Sequence, residues 1–314
     1  MKFTVARLKI QLLFAIILII FSVNLSGCWS RVEIERMAFI SMVGVDSAGP
    51  QELLVSFQIV NPGGFAQGGG GGGGGEGGGG EKPFFVLSVK ARSIPLALAK
   101  VSQESPHRVR FKQLNAIILG EDLGKEGVAH VIDFFVRHWE MRRSIWVVMA
   151  HGSAQEILLK GAPVQEKVPG VAVKVQMETP QAFNPTFYPV VLGDFLTDIS
   201  EEGRDAIVAA ARVKPMQENK AGQSETGSTE NNQLVFEGSG VFRGDKLVGY
   251  LGPSETRGAR WIKGKIDGGI YTVPTPSEGL WASLVTTSGS SRIEPVITED
   301  NISFRIEITD EGYV

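Results

Sequence analysis

A single cysteine, Cys28, is present in 314 residues. One thiol cannot close an internal disulfide, and it supplies no CxxC pair for a metal. Histidine is nearly as scarce. His107, His130, His138 and His151 show no HExxH spacing, so a zinc-hydrolase helix is excluded. No serine sits in a GxSxG elbow. Gly258 to Lys265 (GARWIKGK) has five residues between its glycines and Ile266 where a phosphate loop needs a hydroxyl. These absences leave no catalytic, cofactor-binding or metal-binding constellation. There is no long basic run, and the formal net charge is -3. A mildly acidic chain of this kind is a poor partner for nucleic acid.

What is present begins at the N-terminus. Lys2, Arg7 and Lys9 form a positive n-region without an acid. Leu12 to Val23 (LLFAIILIIFSV) is an uncharged apolar run, shorter than the ~20 residues of a spanning helix. Leu25-Ser26-Gly27-Cys28 follows. A branched apolar residue, two small residues and a cysteine make a bacterial lipobox. The expectation is a lipoprotein signal peptide over 1–27, removed before Cys28, whose thiol then carries lipid. An exported chain without disulfides relies on its core for stability.

Beyond the anchor, strands are expected at Phe39–Asp46, Leu53–Val60 and Phe84–Val89. Between the last two lies a glycine tract. Residues 62–82 read as a flexible surface loop, because glycine buries nothing and loses much entropy on ordering. Ser93, with Pro95 behind it, opens a short helix. Leu114 to Leu119 (LNAIIL) is a continuous apolar run and predicts a buried central strand. Glu126 to Arg142 predicts one amphipathic helix, with Val128, Val131, Ile132, Phe135 and Trp139 on its apolar face. Ser144–Ala150 predicts a strand, and Ser153 to Glu156 has capping-box spacing. Residues 215–233 are almost without apolar side chains and read as a solvated loop. Leu234 to Leu251 predicts a hairpin turning at Gly244-Asp245. Short alternating runs, Ile293–Ile297 and Ile302–Ile308, predict the opening strands of a further domain.

The pattern is α+β, a multidomain mixed α/β lipoprotein. The expected division is 1–27 signal peptide, 28–213 N-terminal mixed domain, 214–278 a second small domain carrying the hairpin, and 279–314 the start of a C-terminal domain. About 36 residues without a helix cannot enclose a core unaided, so that last domain is expected to be incomplete.

Several segments together resemble a known family. They are Gly27-Cys28-Trp29 with Arg31-Val32-Glu33-Ile34, and Ile40 to Asp46. Ile117 to Leu123 follows, with Gly127 and Arg137. The strongest is Gly240 to Leu251, followed by Glu255-Thr256-Arg257-Gly258 and Trp261 to Lys265. In order and spacing they are similar to the Ger(x)C family, the lipoprotein C subunits of germinant receptors in spore-forming bacteria. The resemblance covers nearly the whole chain. It implies a non-enzymatic subunit on the outer face of the spore inner membrane, partnered by A-type and B-type membrane subunits. It also implies three mixed α/β domains. The glycine tract and the early end of the third domain depart from the family pattern.

Phe242, Arg243, Asp245, Lys246, Tyr250, Arg257 and Trp261 form the candidate interface, since mixed aromatic and charged residues suit a contact surface. The alternative is that Phe242 and Trp261 are core residues. Arg137, Arg142 and Arg143 are either a solvated helix end or a contact for lipid or a partner. Two rival classes stand beside the receptor subunit. One is a solute-binding lipoprotein associated with a membrane transporter, which needs two lobes around a cleft. The other is a cell-envelope hydrolase, which needs acid/base or metal groups.

Overall fold

The computed structural model describes residues 7, 11–18, 37–61, 82–161, 166–179, 186–215, 232–265, 268–275, 279–298 and 301–313. Residues up to Met37 form one unit and Ala38–Val314 a second. Residues 11–18 are helical. Among the described residues no helix is long and apolar enough to cross a membrane. Cys28 and the tract 62–81 lie outside the described residues, as do 216–231 of the second expected loop.

The second unit is built on one mixed sheet. Its centre is four parallel strands: β1 (Met37–Ser47), β5 (Ala116–Leu119), β6 (Trp146–Ala150) and β8 (Ile207–Pro215). Antiparallel β2 (Leu53–Val60) and β3 (Phe84–Ala91) extend it beyond β1. Antiparallel β9 (Asn232–Arg243) and β10 (Lys246–Leu251) extend it beyond β8. Two short strands, β4 (Arg108–Arg110) and β7 (Val190–Val191), pair with β1 and β6.

Alternation along the central strands feeds two apolar layers. Val43, Val45, Ile117, Leu119, Val147 and Met149 point to one face. Met42, Ala116, Ile118, Val148 and Ala150 point to the other. A register shift between Ile40 and Met42 turns Ile40 to the same face as Val43. Burial on both faces is why these strands read as unbroken apolar runs. On the first face pack α1 (Ile94–Glu104), α2 (Glu121–Glu126), α3 (Ala129–Arg137) and α6 (Leu192–Ser200). On the second pack α4 (Ala154–Lys160) and α5 (Pro169–Glu178). The architecture is α+β.

The caps follow local chemistry. Ser93 accepts from Leu96 N with Pro95 in the first turn of α1, and Ser153 accepts from Glu156 N at the start of α4. One expected element is different. The single helix over 126–142 is replaced by α2 and α3, because Gly127 adopts φ 126° and breaks the backbone ladder. At the far end His138 is extended, so Trp139 leaves the helix and stands 73% exposed instead of on a buried face.

The hairpin β9–β10 continues the main sheet through β8, and α7 (Pro253–Ile262) follows it. A separate three-stranded sheet then forms from β11 (Gly269–Pro274), β12 (Trp281–Thr298) and β13 (Asn301–Tyr313). Its β12–β13 ribbon is amphipathic. Ile293 pairs with Ile306, Pro295 with Phe304 and Ile297 with Ile302 on one side, while Arg292 pairs with Glu307 and Glu294 with Arg305 on the other. The apolar side is exposed, Ile297 by 74% and Phe304 by 64%.

Candidate interaction surface

The hairpin turn is made by Gly244 at φ 58°, which suits a tight two-residue connection. From there the seven expected interface residues separate into distinct environments. Phe242 is fully buried and meets Phe195 edge-on, ring centroids 5.2 Å apart. It is a core residue, and the hairpin uses it with Leu247 to grip the helical layer. Arg243 and Lys246 are exposed on either side of the turn. Asp245 is half-buried. Its carbonyl accepts from Val128 N at 3.0 Å and its carboxylate from Ala129 N at 3.4 Å, which caps α3.

Tyr250 is half-buried on β10. Its ring stacks on His151 at 4.0 Å, and its hydroxyl donates to Ala150 O at 2.8 Å. Burial pushes its phenol well above the ordinary range, so it is a neutral donor at any physiological pH.

Arg257 and Trp261 lie on α7 and converge on Tyr271 of β11. Trp261 Nε1 donates to the Tyr271 hydroxyl at 2.9 Å, and the Arg257 guanidinium lies 5.6 Å from the Tyr271 ring centroid. This clasp ties the helix to the C-terminal sheet. The inner side of α7 is polar rather than apolar. Thr256 is fully buried and donates to Ser239 Oγ at 3.4 Å, while buried Arg260 donates to Phe187 O at 3.2 Å. The expected surface is therefore two features, the hairpin turn and the α7 clasp, with Phe242 removed from it.

A cleft of about 570 Å³ runs between α6 and the end of α7. Asp194 and Asp198 contribute acids to it, and Arg204, Arg260, Lys263 and Lys265 contribute cations. Arg204 is already engaged by Glu201 at 3.0 Å, and Lys263 donates to Asp205 O at 3.1 Å.

Other polar groups were not singled out by sequence. Asp46, at the end of β1, accepts from Ala154 N at 2.7 Å, Gln155 N at 2.8 Å and Ser153 Oγ at 3.1 Å. It thereby caps α4 from another strand. Burial raises its pKa against these three donors. Glu237 on β9 is held by Lys214 and Arg212, which lower its pKa to about 2. Each is a satisfied structural contact. Among the described residues no group of three or more His, Cys, Asp or Glu could hold a metal.

Comparison with known proteins gives two family matches. A model described as the spore germination protein N-terminal domain matches residues 30–213. A second, described as spore germination B3/GerAC-like, C-terminal, matches residues 237–314. Spore germination protein B3 of Bacillus subtilis (strain 168) is 25% identical over 293 residues, 92% of this chain and 70% of that protein. Spore germination protein KC of the same organism is 25% identical over 307 residues, 96% of this chain and 74% of its own length. The crystal structure of the GerBC protein aligns over 86% of this chain and 70% of that one, with 20% identity and a TM-score of 0.45. With one model alone spanning more than half its length, the chain belongs to the Ger(x)C family of spore germination proteins.

Proposed function

We propose that the chain is the lipid-anchored C subunit of a germinant receptor. It acts without catalytic turnover, through protein contacts on the outer face of the spore inner membrane. The observation that carries this reading is the pair of family matches over 30–213 and 237–314. The Leu25-Ser26-Gly27-Cys28 run supports the anchor, because a cleaved signal peptide would leave Cys28 at the new N-terminus with its thiol available for lipid. Two acyl chains hold a protein on a membrane stably where one is marginal. The partners are A-type and B-type membrane subunits, and no cofactor or metal takes part.

Affinity isolation from spore membranes, followed by intact mass analysis, tests both halves. The expected result is a chain that begins at Cys28 with a diacylglyceryl mass and brings multi-span membrane proteins with it. An unmodified chain beginning at Met1 would sink the anchor. A lipidated chain recovered alone, from membranes in which the partner subunits are present, would sink the receptor assignment.

A further inference from the structure

One end of the main sheet is basic and aromatic. Segments 108–112 and 133–143 hold six Arg or Lys side chains and only two carboxylates, in a chain whose formal net charge is -3. Both acids are engaged. Asp133 pairs with Arg137 at 2.6 Å, and buried Glu140 takes Arg110 at 2.8 Å and Phe111 N at 2.8 Å. Arg108, Lys112 and Arg142 are exposed beside them. Amid these cations stands Trp139, 73% exposed. It is held there by its neighbours. The Arg110 guanidinium lies 5.8 Å from its ring centroid, and His138 stacks on it at 19°. A large amphipathic ring fixed in solvent among cations matches the side chains found at membrane surfaces.

The placement in the fold is specific. β5 takes Met42–Val45 of β1, and Asn115 N donates to Ser41 O, so the loop bearing Lys112 lies beside the start of β1. β6 begins level with β5, Ala116 opposite Trp146, so Trp139 to Arg143 approach the sheet at that same end. The chain enters β1 there from Cys28. The nine-residue step from Cys28 to Met37 spans at most about 30 Å. A lipid on Cys28 would therefore tether the body through a short segment that leads into β1.

We infer that the Arg108–Lys112–Trp139–Arg142 surface docks on anionic phospholipid headgroups, with Trp139 seated at the interface. This rests on the anchored reading above. It adds that the anchored body is oriented, with the start of β1 down and the carboxyl ends of the parallel strands away from the membrane. Cations near an anionic leaflet are drawn to it within a Debye length, and an interfacial tryptophan fixes depth.

The test uses the full chain reconstituted on vesicles of phosphatidylglycerol and phosphatidylcholine, with brominated phosphatidylcholine as quencher. The Trp139 signal is the difference between wild type and Trp139→Phe. The expected result is that this signal is quenched on anionic vesicles, not on phosphatidylcholine alone, and recovers at high salt. Arg108→Glu with Arg142→Glu should lower the docked population about tenfold or more while the protein still floats with the vesicles. Floating protein whose Trp139 signal is unquenched on anionic vesicles would overturn the inference and leave the surface to a protein partner. Failure to float on anionic vesicles would overturn it as well. The mass at Cys28, measured on the same sample, reports separately on the anchor.

Discussion

Gly127 and Asp245 meet where the hairpin docks on the helical layer: a Cβ on Gly127 would stand 2.7 Å from Asp245 Oδ2. Gly127 also sits at φ 126° and ψ 133°, a conformation that L side chains rarely adopt. Gly127→Ala should therefore cost about 2–3 kcal/mol from backbone strain and displacement of the Asp245 cap. Asp245→Ala alone should cost about 1 kcal/mol, the usual value of an N-cap. Chemical denaturation of both single variants and the double variant separates the terms. If Asp245→Ala abolished the whole cost of Gly127→Ala, the strain at φ 126° would be worth nothing.

Asp46 and Gly120 make a second such pair. Gly120 approaches the Asp46 carboxylate so closely that an added Cβ would overlap Oδ1, at 2.1 Å. Asp46→Ala should destabilise by about 2 kcal/mol, because it leaves one buried and one part-buried N–H at the start of α4 without an acceptor. Asp46→Asn should be milder, since one oxygen remains. Gly120→Ala should resemble Asp46→Ala by forcing the carboxylate out. Equal melting temperatures for Gly120→Ala and wild type would contradict this.

His151 couples stability to pH. Burial, and then the Arg212 charge, lower its pKa below the ordinary 6.5. The folded state thus binds fewer protons at this site than the unfolded chain. Its contribution is full above pH 6.5 and is lost as pH falls through the window beneath. The melting temperature should fall between about pH 7.5 and about pH 5.5. His151→Phe keeps a ring against Tyr250 and should flatten that slope. Glu237, with its pKa lowered to about 2, acts in a more acidic window and should not obscure the effect. An unchanged slope in His151→Phe would place the titrating group elsewhere.

Much of the sheet was legible because its chemistry is local. Ala116–Leu119 is buried on both faces and reads as an unbroken apolar run. The hairpin reads from Gly244-Asp245 between alternating strands. Two helices, α7 and α5, and the break between α2 and α3 were less legible. The buried side of α7 is Thr256 and Arg260, which apolar periodicity treats as surface. Gly170, Ala172 and Val173 on α5 are small enough to pass for a turn or a strand. The break at Gly127 depends on a backbone conformation fixed by the docking of Asp245, a residue far along the chain. The same non-locality hid the basic end of the sheet. Arg108 and Arg142 come together only through β4, Glu140 and the Arg142 Nη2 to Lys112 O bond at 3.2 Å.

The hairpin places a core residue and two exposed charges within five residues. Phe242 is fully buried against Phe195, so Phe242→Ala should cost about 3–5 kcal/mol and reduce yield of folded chain. Arg243 and Lys246 flank the turn and are exposed, and among the described residues neither makes an ion pair. Arg243→Glu with Lys246→Glu should therefore change stability by less than about 0.5 kcal/mol. The two classes of variant predict different failures in co-isolation of the membrane subunits. Phe242→Ala should lower recovery in proportion to the loss of folded protein. The charge reversal should lower recovery at wild-type yield and melting temperature, because rim charges govern encounter and register more than folding. Wild-type recovery with the reversed charges would remove the turn from the contact surface and leave α7, with Arg257 and Trp261, as the remaining part of it. Recovery lost together with melting temperature would instead mean that the turn is a folding element, which its exposure argues against.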